Sequence, residues 1–274
     1  MRYTLSPHRR SYGFTLVEMV VVLVVSGIMA ALGGMFIVQP IQGFLDLSRR
    51  ARLVDGAETA LRRMQRDVRL ALPNSVRIGC GGSCLELLPT VDGGRYRAYS
   101  SDDALDPGNP LDFTRADANF EVLGNLDTAP IAGQSIVVYN LSATGASGNA
   151  YQANDNRTGV GAGSAVNLVN LDPSFQFPRS SPFQRFFIVG ESVSYVCNLA
   201  VNTLTRFSGY GISAIQSANS GGTSALMASN VSACNFSYQP GTSQRAGLVT
   251  LRLQLNEDGE MVTLLHQIHV ENAP

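Results

Sequence analysis

The sequence predicts an α+β chain: a long N-terminal helix, membrane-spanning in its first half and amphipathic in its second, packed on a β-rich head of antiparallel sheet. Three observations predict it. No charged residue lies between Glu18 and Asp46. From Leu47 to Leu72 apolar residues recur at steps of three and four. After Pro73 the pattern changes to period two, broken by turn residues.

The uncharged run is the first element. Met19 to Val38 would span roughly 30 Å as a helix, enough to cross a bilayer. Residues 1–13 carry Arg2, Arg9 and Arg10 and no acid. The positive-inside bias keeps that end cytoplasmic and places the chain beyond the span on the other side. Glu18 stands out, because a carboxylate in a bilayer costs on the order of 2–3 kcal/mol or more and calls for a partner.

In the second half of the helix, Val54, Ala57, Leu61, Met64, Val68 and Ala71 form one stripe. Arg62, Arg63, Arg66 and Arg69, with Asp55, Glu58 and Asp67, lie mostly off it and read as a solvated face. Pro73 ends the helix, since the residue before a proline is pushed out of the α region. Pro40 predicts a kink.

Strands are expected at Leu85–Val91, Tyr96–Tyr99, Ser135–Tyr139, Phe186–Val189, Ser192–Asn198, Leu204–Tyr210 and Val231–Tyr238. The clearest alternation is Leu248–Leu255, which pairs with Met261–Val270 through the turn-rich Asn256–Glu260. Residues 141–165 contain five glycines and many small polar side chains, which predicts a long, flexible surface loop. Residues 213–229 read the same way. Loops of this kind on a rigid sheet either carry binding or are idle insertions.

Composition excludes several functions. The chain has 274 residues, 20 basic and 21 acidic, for a net charge of −1, which argues against nucleic acid as a partner. Every basic residue is arginine, so neither a Walker lysine nor a Schiff-base lysine is available. There are three histidines, His8, His266 and His269. The last two are three apart on an expected strand, so they face opposite ways and cannot share a metal. Asn154–Gly159 offers oxygen ligands that would suit calcium but lacks EF-hand spacing. Asp102 and Asp103 sit among turn residues. No catalytic constellation, metal site or cofactor is expected, so the chain is not read as an enzyme.

Four cysteines, Cys80, Cys84, Cys197 and Cys234, fit an exported, oxidised head. Three connectivities are open to them. We favour Cys80–Cys84 with Cys197–Cys234, because Gly81-Gly82-Ser83 makes the first pair local and leaves the others for each other. Zinc is the weaker reading, lacking a second short-spaced ligand pair.

The short basic leader, Gly13, then Phe14-Thr15-Leu16-Val17-Glu18-Met19-Val20 and the long apolar run resemble the type IV prepilin signal. The resemblance implies a prepilin peptidase that cuts between Gly13 and Phe14 and methylates the new amine of Phe14. It gives Glu18, the fifth mature residue, the role of an assembly charge facing the Phe14 ammonium of a neighbouring subunit. Residues Ala71–Ile78, Cys84–Arg97, Glu191–Cys197, Leu204–Tyr210 and the tail from Cys234 resemble the minor prepilins of MSHA pilus biogenesis. That family is related to the J-type pseudopilins of type II secretion.

The implied organisation is a leader at 1–13, a transmembrane and assembly helix at 14–38, its amphipathic continuation at 39–73 and a pilin-like periplasmic head at 74–274. The implied partners are the prepilin peptidase, other minor and major pilins, and an inner-membrane assembly platform with its ATPase. The implied location is the inner membrane, single pass, and then a pilus or pseudopilus at the cell surface. Three of the 20 basic residues and none of the 21 acids lie in residues 1–13, so the mature chain would have 17 basic residues and a net charge of −4. The competing readings are a tip adhesin on a pilin stalk and an anchored enzyme. A plain anchor with a snorkelling Glu18, or a secretory signal cut near Ala31-Leu32-Gly33, would undo the prepilin reading.

Overall fold

A computed structural model describes residues 13–103, 105, 107–216, 222–241, 246–272 and 274, with the side chains of residues 34–40 left out. The chain divides into two compact units, Met1–Ala51 and Arg52–Pro274. Helix α1, Leu16–Arg69, contributes to both. Its helical assignment runs unbroken through Pro40, where the sequence predicts a kink. In the first unit, Leu16–Gly33 is long and apolar enough to cross a membrane, and none of it is buried within the chain.

The second unit joins the end of α1 to fourteen strands among the described residues. They are β1 (Arg77–Gly79), β2 (Cys84–Leu87), β3 (Thr90–Tyr96), β4 (Asp117–Leu123), β5 (Ser135–Val138), β6 (Arg157–Val160) and β7 (Leu168–Phe175). The others are β8 (Arg185–Val189), β9 (Val193–Asn198), β10 (Thr203–Ser208), β11 (Thr223–Ala228), β12 (Val231–Gln239), β13 (Gly247–Glu257) and β14 (Glu260–Val270). The architecture is α+β with an antiparallel, β-rich head, as the sequence predicts.

One part of the head is a five-stranded sheet, β1-β2-β9-β10-β11, and a three-stranded sheet, β12-β13-β14. The apolar stripe of α1 packs in their shared core, where Leu53, Ala57, Ala60, Leu61, Met64 and Val68 are buried with Leu85, Tyr195, Phe236 and Leu251. Ala57 and Ala60 are fully buried, and their small side chains let the helix lie close to strand side chains. Ala60→Leu should overpack this contact and cost about 1–3 kcal/mol, read as a lower midpoint in urea at unchanged slope.

The face of α1 read as solvated is only partly so. Arg62 donates to Glu58 through Nε at 2.9 Å on the exposed side. Asp67 instead turns to the sheet, accepting from Tyr195 Oη at 2.8 Å and Arg206 Nε at 2.9 Å. Burial and the Asp67 carboxylate push the Tyr195 hydroxyl well above its ordinary pKa. α1 ends at Arg69, ahead of Pro73, and Ala71 bridges to Pro89.

The other part is a closed six-stranded barrel, β3-β4-β7-β6-β5-β8, inserted between β2 and β9. Its interior holds Tyr96, Phe120, Ile136, Val169, Phe186 and Ile188. Pro89 separates β2 from β3, so the single strand expected at Leu85–Val91 is two strands belonging to different sheets. Tyr96 closes β3 rather than opening a strand toward Tyr99.

The long surface loop expected at 141–165 is corrected by the structure. Arg157–Val160 is a barrel strand, and Ala143, Asn149, Ala150, Tyr151 and Asn156 are buried. The glycines serve close packing: a Cβ on Gly159 would sit 2.6 Å from the carbonyl oxygen of Asp172. Residues 213–229 are corrected likewise, since Thr223–Ala228 pairs with β10 as an edge strand.

A buried charge cluster holds barrel and sheets together. Arg77 on β1 meets Glu86 on β2 at 3.0 Å, with side chains 5% and 2% exposed. Arg77 also donates to the carbonyls of Ala214 and Ser213, each at 2.8 Å, and its guanidinium lies 3.7 Å from the ring centroid of Tyr151. Tyr151 Oη donates to the carbonyl of Ser75 at 2.9 Å. Burial raises the Glu86 carboxyl above its ordinary value, partly offset by Arg77.

Candidate processing and assembly site

Gly13, Phe14 and Thr15 precede the first turn of α1. Nothing lies within 4 Å of a Cβ built on Gly13, and Phe14 is 84% exposed. The Gly13–Phe14 bond therefore lies in non-helical, accessible backbone. A peptidase needs that state, because a helical peptide bond is already engaged in the ladder.

Thr15 caps the helix. Its carbonyl accepts from the Met19 N–H at 3.2 Å, and its Oγ1 accepts from the Glu18 N–H at 3.2 Å. Thr15 is thus the N-cap and Glu18 the N3 residue, the spacing of a capping box. Sequence reasoning missed Thr15, although Thr-x-x-Glu before an apolar run was a readable signal. The Glu18 carboxylate has no hydrogen-bond or ion-pair partner among the described residues. An acid in the first turn is favoured by the helix dipole, but that gain is only about 0.3–1 kcal/mol. It falls short of what a bilayer charges for an unpaired carboxylate.

The structure brings the cysteines together as favoured. Cys80–Cys84 and Cys197–Cys234 are disulfides, with Cα atoms 5.3 and 6.6 Å apart. The short loop needs its glycines, since Gly81 and Gly82 take φ of 63° and 96°. The Cys197 N–H donates to the Ser83 carbonyl at 2.9 Å, so the two bridges lie beside each other at one end of the five-stranded sheet.

The remaining candidates stay apart. His266 is half-buried on the core side of β14 and His269 is exposed on the other. His8 lies outside the described residues. In the Asn154–Gly159 segment, Asp155 accepts from the Asn149 N–H and Asn156 Nδ2 donates to Asn140, while the buried Asn156 Oδ1 has no hydrogen-bond partner among the described residues. Asp102 and Asp103 lie in an exposed bend. No group of three or more His, Cys, Asp or Glu that could hold a metal occurs among the described residues.

Residues 8–34 match the family described as the prokaryotic N-terminal methylation motif. The match covers Gly13, Phe14 and Glu18 and ends as the described apolar helix reaches Gly33. This motif is that of type IV pilin-like and pseudopilin proteins, and it implies processing by a prepilin peptidase and association with a membrane. No curated protein and no solved structure matches the chain.

Proposed function

We propose that the chain is a minor pilin or pseudopilin that helps initiate, or sits at the tip of, a type IV filament of the MSHA type, close to the MshO kind of minor prepilin. The observation that carries this is the pairing of the methylation motif with an unburied apolar helix that continues into a β-rich head. Cleavage after Gly13 leaves Phe14 as the N-methylated end. The helix anchors the chain in the inner membrane, with the disulfide-bonded head in the periplasm. The assembly platform and its ATPase then draw it into the filament beside other minor and major pilins. The chain works through assembly contacts and not by catalysis.

A second reading, a ligand-binding tip module, is favoured by the barrel. An assembly subunit needs a helix and a supporting sheet, whereas the barrel between β2 and β9 adds a separately cored body.

The deciding measurement is intact-mass and N-terminal analysis of the membrane-extracted protein, with and without prepilin peptidase. The expected product begins at N-methylated Phe14 only when the peptidase is present. A chain beginning at Met1 in both cells, or after Gly33, would remove the filament reading.

A further inference from the structure

A cleft of about 480 Å³ opens on the outer face of the barrel, over β3 and β8. Its two ends differ. At one, Leu70 and Val91 are more than half exposed. At the other, Arg95 and Arg185 lie directly opposite in the strand register. Gly93, between Val91 and Arg95, contributes no side chain, and the ring of Phe187 comes within 3.2 Å of where its Cβ would be.

Two like charges directly across an antiparallel pair destabilise the sheet. Here both turn to one exposed aromatic residue: Arg95 Nε donates to the carbonyl of Phe183 at 3.1 Å, and the Arg185 guanidinium lies 5.2 Å from the Phe183 ring centroid. Beyond that bond Arg95 makes no ion pair among the described residues. The acid that lines the cleft, Asp92, is committed elsewhere. Its Oδ1 accepts from the Gly93 N–H at 2.7 Å, and its Oδ2 from the N–H groups of Asp127 and Thr128 at 2.9 and 3.4 Å.

We propose that this cleft binds a small organic anion: a carboxylate or sulfate held by Arg95 and Arg185, on a ring that lies along the open face at Gly93 toward Val91. Arginine forks suit planar and tetrahedral oxyanions, and the volume matches one or two rings. β8 is paired on both sides, to β3 and to β5, and the cleft lies over that pairing, so recognition there falls to side chains. The site is independent of the filament reading, since it needs only the folded head.

Ring and acid are the shared chemistry of aryl acids and acidic sugars. The test therefore titrates the full-length protein in neutral detergent with two pairs of probes: 2-naphthoate against 2-naphthamide, and a galacturonate oligomer against a neutral glucose oligomer. An acidic probe should bind, its neutral counterpart should bind at least about tenfold more weakly, and added salt should weaken the acidic probe. Arg95→Gln should lose about tenfold in affinity while its melting temperature stays level or rises, because a repulsion is removed. Arg115→Gln, at an exposed arginine paired with Asp112, should leave binding unchanged. The pair that responds identifies the source as aryl acid or acidic sugar. Failure of both acidic probes to bind, equal binding of the neutral ones, or an affinity indifferent to Arg95 would overturn the site. So would a drop in melting temperature of Arg95→Gln that matches its loss of binding.

Discussion

Arg77→Ala is expected to cost the head about 3–5 kcal/mol, because it leaves Glu86 buried without its cation. The pair is not simply a stabilising bond. An apolar pair of the same shape could do as well, so Arg77→Met with Glu86→Leu should recover much of the loss. The single variant should also change how stability depends on pH. Burial already raises the Glu86 carboxyl, with Arg77 the main counterweight. Removing Arg77 raises it further. A carboxyl whose folded pKa lies above its unfolded value contributes stability that is fully present below the unfolded value and lost as pH rises through the folded one. Arg77→Ala should therefore lie closest to the parent in mildly acidic buffer and fall away toward neutrality. Urea titrations across that range check this. An equal deficit at every pH would mean that Glu86 is not the group left stranded. The test also bears on the long segment after β5, because Tyr151 stacks on Arg77 and should loosen with it.

The parts of this fold that were legible in the sequence are those where one face is buried and the other wet. Val249, Leu251, Leu253 and Leu255 alternate because β13 packs one side on α1, and all four are buried. Its partner β14 follows a tight turn in which Asp258 and Gly259 take positive φ. The stripe from Val54 to Ala71 was legible for the same reason. The barrel was not. Its strands are short, and β7 contains Asn170, Asp172 and Pro173, so no period survives. Closing a small barrel brings backbones together, which demands glycine at positions such as Gly159 and Gly161. Glycine-rich sequence was thus read as loop when it marks close approach. The Arg77–Glu86 pair left a fainter signal, a charge set between apolar neighbours in both strands, but nothing local says that the two meet. At the N-terminus the motif was plain from spacing alone, whereas the cap at Thr15 needed the helix start to be fixed.

The cap sharpens the test of Glu18. Glu18→Ala and Glu18→Gln should both leave cleavage after Gly13 largely intact and reduce incorporation into filaments by about tenfold or more. An unpaired charge in a bilayer costs on the order of 2–3 kcal/mol, and pairing it with the Phe14 ammonium of a neighbour recovers that energy on assembly. The bond seen at the helix start runs from the Glu18 N–H to Thr15 Oγ1, so neither substitution removes it. If the carboxylate served the cap instead, by reaching back to Thr15, glutamine would do nearly as well, since Glu and Gln both complete a capping box. The two explanations part at Glu18→Gln. Loss of incorporation in both variants points to charge. Loss in Glu18→Ala alone points to the cap. Normal incorporation of both would end the assembly role for this residue. Comparing sheared filaments with membrane-retained protein, with the N-terminus read by mass spectrometry in each fraction, separates failed processing from failed assembly.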